Sequence, residues 1–154
     1  MIIVYRIVKK KWSNTAFDGE GARLYGGRWN SKGNSCVYVA SSESLAILEM
    51  LVHLEHTSAI DNYTLYSIVL QSSDVMLLDN DSLPDNWQDN PAPAEVADLG
   101  DEWLTSQTSL ALAVPSTIVP RELNYILNTT HPNYEKLITT ASKLNINFDA
   151  RLFN

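Results

Sequence analysis

Residues 26–30 read Gly-Gly-Arg-Trp-Asn and hold the side chains of this sequence that are best suited to binding chemistry. Consecutive glycines let the backbone approach a ligand closely, and the guanidinium of Arg28 is a planar set of donors that suits phosphate oxygens. Tyr38 offers a face on which a heteroaromatic ring can stack, and Glu49 would add a carboxylate from a facing helix. Each residue also has a structural interpretation: Trp29 and Tyr38 as core, Arg28 as a surface ion pair and the glycine pair as a turn.

The elements that must position these residues follow from local patterns. An apolar, β-branched run predicts a strand at residues 2–8, and a second strand is predicted at 36–40. Residues 13–34 contain five of the six glycines, which predicts a long ordered loop or a pair of turns. Ser and Glu residues at 41–44 supply an N-cap for a helix predicted at 45–56.

The predicted helix 45–56 is apolar over most of its circumference, so we expect it to be buried on most sides. Its narrow polar stripe consists of Glu49, His53 and His56. Two histidines and a carboxylate can bind a metal ion, but the angular spread of these three is wide and a solvent-facing stripe explains them as well. We therefore expect no metal site.

The rest of the chain mixes strands and helices without a regular βαβ alternation, which favours an α+β fold in a single domain covering residues 1–154. Strands are predicted at 63–70, 75–78, 110–114, 117–119, 124–127 and 143–148, and helices at 101–109 and 134–137. Residues 74–102 hold nine acidic side chains and no lysine or arginine. That composition predicts a solvated surface loop with about one helical turn.

The charge of the chain is unevenly distributed. The total is −7, yet residues 1–38 carry seven basic and two acidic side chains, which is a local charge of +5. An acidic chain argues against general binding to nucleic acid or to an anionic membrane, whereas the basic segment fits a local site for an anionic ligand. The alternative for lysines 9–11 is a solvated surface.

The single cysteine, Cys36, excludes an internal disulfide framework and a multi-cysteine zinc site. The first residues place their basic side chains after the apolar run, which is the reverse of a signal peptide, and no apolar stretch approaches a membrane span. We therefore expect a cytoplasmic protein. Phosphate-loop, hydrolase-elbow and zincin motifs are absent from the sequence, and the glycines at 19–27 lack the spacing of a dinucleotide loop.

Several motifs together resemble the RES-domain family, named for its Arg, Glu and Ser. They are Gly-x-Gly-Ala-Arg-x-x-Gly-Gly-Arg-Trp-Asn-x-x-Gly at 19–33, Tyr-x-Ala at 38–40 and Ser-Leu-Ala-x-x-Glu at 44–49. Shorter matches are Tyr-Arg-Ile at 5–7, Val-Pro-Ser at 114–116, Asn-x-x-His-Pro at 128–132 and Phe-Asp-x-Arg-Leu at 148–152. They occur in family order along almost the whole chain, and the first is the most specific.

The resemblance implies a fold similar to that of ADP-ribosyltransferases, with mixed or antiparallel sheets and a few helices around a central NAD cleft. It implies a toxin of a bacterial toxin–antitoxin pair that splits NAD at the nicotinamide–ribose bond and passes ADP-ribose to water, phosphate or a protein. The family's Arg, Tyr, Glu and Ser fall on Arg28, Tyr38, Glu49 and Ser116.

The expected catalytic residues are therefore Glu49, Arg28, Tyr38 and Ser116. Expected NAD contacts, in addition to Arg28, Tyr38 and Ser116, come from four more residues of the basic segment: Arg6, Arg23, Gly27 and Trp29. No cofactor beyond NAD as substrate is expected.

The resemblance also implies an Xre-like antitoxin that neutralises the toxin and makes any DNA contact for the pair. The acceptor of ADP-ribose stays open, as does the choice between a homodimer and a toxin–antitoxin hetero-oligomer. Two other functions stay open: an RNA-cleaving toxin, against which the acidic charge weighs, and a non-catalytic nucleotide-binding module.

Overall fold

The computed structural model describes residues 1–54 and 62–153 of the chain. Its strands are β1 (Ile2–Lys9), β2 (Val37–Ala40), β3 (Tyr63–Leu70), β4 (Val75–Leu77), β5 (Ala111–Pro115), β6 (Leu123–Leu127) and β7 (Ser142–Leu144). Its helices are α1 (Glu20–Tyr25), α2 (Glu43–Val52), α3 (Ala94–Ser106) and α4 (Tyr134–Ile138). Short 3-10 turns cover Lys10–Thr15, Ser72–Asp74, Asn80–Ser82 and Ala150–Phe153.

The strands form one mixed sheet of seven in the order β4-β5-β6-β2-β1-β3-β7. Only β4 and β5 run parallel among the paired strands of the described chain. The junction between β1 and β2 is thin, because its register consists of the single pair Tyr5 and Ala40. The α+β prediction, with a mixed sheet and few helices, is confirmed.

Alternation along the strands divides the buried side chains between the two faces of the sheet. One face carries Val4, Val39 and Ala113, and packs against α4. The opposite face carries Val114, Ile126 and Leu112, which pack against α3, and Ala40, which packs against α2. Both long helices therefore lie on the same face of the sheet.

Helix α2 differs from its prediction in length and burial. Ser42 caps it by accepting the amide of Leu45, as the sequence predicts, but the helix ends at Val52. The expectation that it is buried on most sides is wrong, because only Leu45 and Ala46 are buried while Val52 is 59% exposed. The helix packs on β1 and β2 in the middle of the sheet on one side, and faces outward on the other.

Helix α3 begins seven residues before the predicted start at 101, inside the segment expected to be a solvated loop. Val96, Gly100 and Trp103 form a buried stripe at helical spacing. The acidic side chains around this stripe obscured it in the sequence. The structure thus places residues 94–102 of the acidic segment in a helix whose one face is part of the core.

Three further predictions need correction. Residues 117–119 are not a strand, because the amides of Ile118 and Val119 bind the hydroxyl of Ser116 instead of a neighbouring strand. The strand predicted at 143–148 is limited to Ser142–Leu144, and the loop at 13–34 contains α1. In the described parts of the chain, none of the helices has the length and apolar character needed to cross a bilayer.

Candidate active site

Glu49 lies in the second half of α2, and its carboxylate is held from the sheet below. Its Oε1 accepts hydrogen bonds from Ser116 Oγ at 3.1 Å and from Asn124 Nδ2 at 2.7 Å. Oε2 accepts no hydrogen bond from the residues that the structure describes. One oxygen is therefore anchored, and the other is free to receive a donor from a ligand.

Ser116 directly follows β5 and is completely buried. Its hydroxyl accepts the backbone amides of Ile118 and Val119, each at 3.1 Å, and donates its proton to Glu49. A hydroxyl has one proton, so Ser116 cannot donate to a ligand without releasing Glu49. The structure brings Ser116 and Glu49 together, and in this arrangement the serine holds the carboxylate.

Asn124 is a member of this group that the sequence analysis missed. It lies on β6 opposite Ala40 on β2 and opposite Val114 on β5, and all three point to the face that carries α2 and α3. The signal available in the sequence was a polar residue within an otherwise apolar strand, Leu-Asn-Tyr-Ile-Leu. That signal identifies neither its partner nor its role.

Tyr38 lies on the same face as Asn124, diagonally across from it on the neighbouring strand. Its hydroxyl donates to Oδ1 of Asn30 at 2.6 Å and accepts the amide of Trp29 at 3.1 Å. Burial raises the pKa of the Tyr38 phenol well above its ordinary value of 10.0, so the phenol is neutral at physiological pH. Only the ring of Tyr38 is left to contact a ligand.

The hydrogen bonds of the Tyr38 hydroxyl to Trp29 and Asn30 hold the backbone of residues 27–30 close to the Tyr38 ring. A Cβ on Gly27 would lie 2.8 Å from the hydroxyl of Tyr38, so this glycine allows close approach within the protein itself. Trp29 is buried at 3% exposure among the residues that pack beneath α3. The expected NAD contact by Trp29 is replaced by a core role, because its side chain has almost no accessible surface.

Arg28 points away from that core toward the acidic segment. Its Nη1 donates to the carbonyl oxygens of Trp87 at 3.0 Å and Asp89 at 2.9 Å. Its Nε and Nη2 make no hydrogen bond with the residues that the structure describes. A guanidinium has five N–H donors, so Arg28 can hold this loop and still offer donors to an anion.

The other two expected arginines are engaged elsewhere. Arg6 on β1 donates to the carbonyl oxygen of Tyr38 on β2, and also to that of Ala16. Burial lowers the pKa of the Arg6 guanidinium. Arg23 is exposed and forms a bidentate pair with Glu20. Neither arginine presents its donors beside Glu49, and we leave both out of the candidate site.

A cavity of about 360 Å³ is lined mostly by residues of the acidic segment, and its described lining includes none of Glu49, Tyr38 and Arg28. It is bordered by Trp87, whose carbonyl holds Arg28, and by Pro115, which precedes Ser116. A larger cavity of about 470 Å³, lined by Lys10, Tyr63 and Lys143 among others, lies at the β3–β7 edge.

The alternative metal set is only partly described, because His56 lies outside the described residues. His53 is the exposed C-cap residue of α2. In the described residues, no cluster of three potential metal ligands occurs.

Comparison with known proteins supplies the family. The RES domain model matches residues 3–149. The protein "Toxin Res" of Yersinia enterocolitica is 44% identical over 151 residues, covering 98% of this chain and 99% of that protein. The "Prs ADP-ribosylating toxin" of a Sphingobium strain is 42% identical over 120 residues, covering 75% of this chain and 73% of that protein.

Among solved structures, a chain of the M. tuberculosis MbcT–MbcA toxin–antitoxin complex superimposes with a TM-score of 0.73. The match covers 99% of this chain and 86% of that chain at 18% sequence identity, so it establishes a shared fold. The family itself is established by the RES domain match over residues 3–149 and by the 44% identity with "Toxin Res" over 98% of this chain. The chain therefore belongs to the RES-domain toxin family.

Proposed function

We propose that this toxin cleaves NAD at the nicotinamide–ribose bond and transfers ADP-ribose to water, phosphate or a protein. The observation that carries the proposal is the Glu49 carboxylate, with Oε1 anchored by Ser116 and Asn124 and Oε2 open. The name of the relative "Prs ADP-ribosylating toxin" supports the same chemistry.

Breaking this bond creates an oxocarbenium-like centre on the ribose, as in glycoside hydrolysis. The nicotinamide group is already cationic and leaves as a neutral molecule, so no general acid is required. A fixed carboxylate can stabilise the developing positive charge and accept a ribose hydroxyl through its open oxygen. Glu49 fits this role because two donors hold it from the opposite side.

Arg28 and Tyr38 would bind the remaining parts of the substrate. The free donors of Arg28 suit a pyrophosphate oxygen, since a guanidinium offers phosphate a fixed fork of N–H groups. The ring of Tyr38 would stack on nicotinamide. The local charge of +5 in residues 1–38 favours a dianionic substrate within a chain whose total charge is −7.

The test is release of nicotinamide from NAD by the purified protein, followed by mass identification of the ADP-ribose product with and without phosphate and cell lysate. Glu49→Gln should lower the rate about 10²–10³-fold, since the charge that stabilises the transition state is lost. Glu43→Gln is the matched control, because Glu43 is exposed in the first turn of the same helix. A wild-type rate for Glu49→Gln contradicts the role of Glu49.

Arg28 is tested by calorimetric titration of NAD into the Glu49→Gln protein, which should bind the substrate without consuming it. Arg28→Ala in that background should weaken binding at least tenfold, given the energy of a charge-assisted hydrogen bond of about 1.5–3 kcal/mol. Arg23→Ala is the control, because its exposed guanidinium pairs with Glu20. Unchanged affinity of the Arg28 variant would remove it from the binding site.

We also propose an antitoxin partner of the Xre type. The structural neighbour is a chain of a toxin–antitoxin complex, which supports an antitoxin partner, and the Xre type is what the family resemblance implies. Coexpression with the protein encoded beside this one should give a stable complex in which nicotinamide release is suppressed. Its mass distinguishes a homodimer from a hetero-oligomer, and a complex that retains full activity speaks against neutralisation by binding.

Two other functions give different results in the same assays. An RNA-cleaving toxin would degrade RNA and leave NAD intact. A non-catalytic nucleotide-binding module would bind NAD without releasing nicotinamide over time.

A further inference from the structure

Asn124 is half-buried, and its amide makes a contact that differs from those of the two fully buried asparagines in the described chain. Asn30 and Asn128 are 1% exposed, and their amide groups donate to backbone carbonyl oxygens. Asn124 donates from the sheet to a carboxylate on a helix, with a sequence separation of 75 residues. Its amide therefore stabilises one side chain rather than a loop.

The neighbours of Asn124 in the sheet are apolar, so its hydrogen bond to Glu49 has no competing polar partner on the adjacent strands. Asn124 lies between Ala40 at 3% exposure and Val114, which is fully buried, on the face that packs against the helices. A polar side chain in such a place is unfavourable unless it is hydrogen-bonded. Because a carboxylate only accepts, the amide must present its Nδ2 to Glu49. The orientation of Asn124 and the position of Oε1 thus determine each other.

From this geometry we infer that Asn124 is a positioning residue for Glu49: its Nδ2, together with the hydroxyl of Ser116, holds Oε1 so that Oε2 faces the substrate. The inference rests on the proposed function, in which Glu49 stabilises the ribose cation. Asn124 acts through Glu49 in this scheme and needs no contact of its own with NAD.

Two substitutions separate positioning from a space-filling role. Asn124→Ala should lower kcat for nicotinamide release about 10- to 100-fold, the range expected from a lost hydrogen bond to a charged group. KM for NAD should change by less than about threefold, since ground-state binding is retained. Asn124→Asp keeps the shape but places a carboxylate 2.7 Å from Oε1, and like charges repel at that distance.

The Asp variant should therefore be slower than the Ala variant. If Asn124 only fills space, Asn124→Ala should lose the same factor in the Glu49→Gln background as in the wild type, which a double-mutant cycle measures. Asn34→Asp is the matched control: Asn34 Nδ2 donates to Asp101 at 2.8 Å, so this variant places two carboxylates together away from Glu49. Its nicotinamide release should equal that of the wild type when assayed at a temperature where all variants are folded.

A double-mutant cycle completes the test. In the Glu49→Gln background, Asn124→Ala should cause no further loss of residual activity, because the group that it positions has lost its charge. A further loss by the full factor overturns the inference, as does a kcat for Asn124→Asp equal to or above that of Asn124→Ala. These results overturn the positioning role alone, whereas a wild-type protein that releases no nicotinamide overturns the proposed function.

Discussion

The hydroxyl of Ser116 donates a hydrogen bond to Oε1 of Glu49 at 3.1 Å, which joins the end of β5 to α2. The same hydroxyl accepts the amides of Ile118 and Val119, so the turn after β5 and the carboxylate depend on one oxygen atom. The position of the Glu49 carboxylate is thereby coupled to the conformation of that turn.

Ser116→Ala should affect both activity and stability. The loss of one donor to Glu49 should lower kcat about 10- to 100-fold, and the unpaired amides should reduce the free energy of unfolding by about 1–3 kcal/mol. Steady-state nicotinamide release and chemical denaturation measure the two effects. Ser31→Ala is the control, since Ser31 is exposed. An unchanged kcat in the folded Ser116 variant would show that Asn124 alone suffices to hold Glu49.

Gly100→Ala should destabilise the protein strongly. A Cβ at Gly100 would overlap the carbonyl oxygen of Trp29, which is backbone and cannot move aside as a side chain can. We expect the free energy of unfolding to fall by at least about 1–3 kcal/mol, measured by denaturant titration. Gly21→Ala in α1 meets no atom within 4 Å and should leave stability equal or slightly higher. Equal stability of both variants would contradict the close packing of α3 on residue 29.

Gly27 and Tyr38 should show energetic coupling. Gly27→Ala would place a Cβ 2.8 Å from the Tyr38 hydroxyl and push the phenol away from Asn30. Tyr38→Phe removes that hydroxyl and with it the shortest contact of the added Cβ, while the contacts with Asn30 Oδ1 at 2.9 Å and with the ring at 3.1 Å remain. The double variant should therefore be more stable than the sum of the two single losses predicts, by about 0.5–3 kcal/mol. If the losses in the free energy of unfolding of the two single variants add up to that of the double variant, the two residues are not coupled.

Stability should fall in alkaline solution because of Cys36. Burial raises the pKa of the Cys36 thiol from 9.0 to about 12. Between these values the unfolded chain loses the proton and the folded chain keeps it, so the unfolded state binds fewer protons and stability decreases as pH rises. The slope due to this one thiol is at most about 1.4 kcal/mol per pH unit.

Burial of Tyr38 and Tyr134 acts in the same direction, because it raises the pKa of both phenols. Cys36→Ala should flatten the decline without abolishing it. Denaturant titrations at several pH values from 8 to about 11 measure the difference. Equal slopes for the wild type and Cys36→Ala would show that the thiol is not protected by burial.

Local sequence patterns determined several elements of this fold closely. The strand predicted at 63–70 coincides with β3. Strand β1 extends one residue beyond the strand predicted at 2–8, and α4 extends one residue beyond the helix predicted at 134–137. These elements combine a clear periodicity with turn residues at their ends, so neighbouring residues suffice to define them. The motifs around Arg28 and Glu49 also indicated the family, which sequence comparison confirms.

Helix α3 shows where local patterns fail. Its acidic surface dominates the composition of residues 74–102, although Val96 is fully buried and Gly100 packs on the backbone of Trp29. The arginines show the same limit. Arg23 pairs with the exposed Glu20 and Arg6 is buried between β1 and β2, but the sequence alone does not distinguish these two environments. Contacts between distant segments decide these outcomes.

The sequence by itself therefore determined the family, the α+β class and the residue types available for the chemistry. Only the tertiary structure decided that Ser116 and Asn124 share one oxygen of Glu49, that Trp29 belongs to the core, and that Arg28 holds the loop at Trp87 and Asp89. The physical reason is that each of these hydrogen bonds joins residues about 60 or more positions apart, which periodicity over a few turns cannot relate.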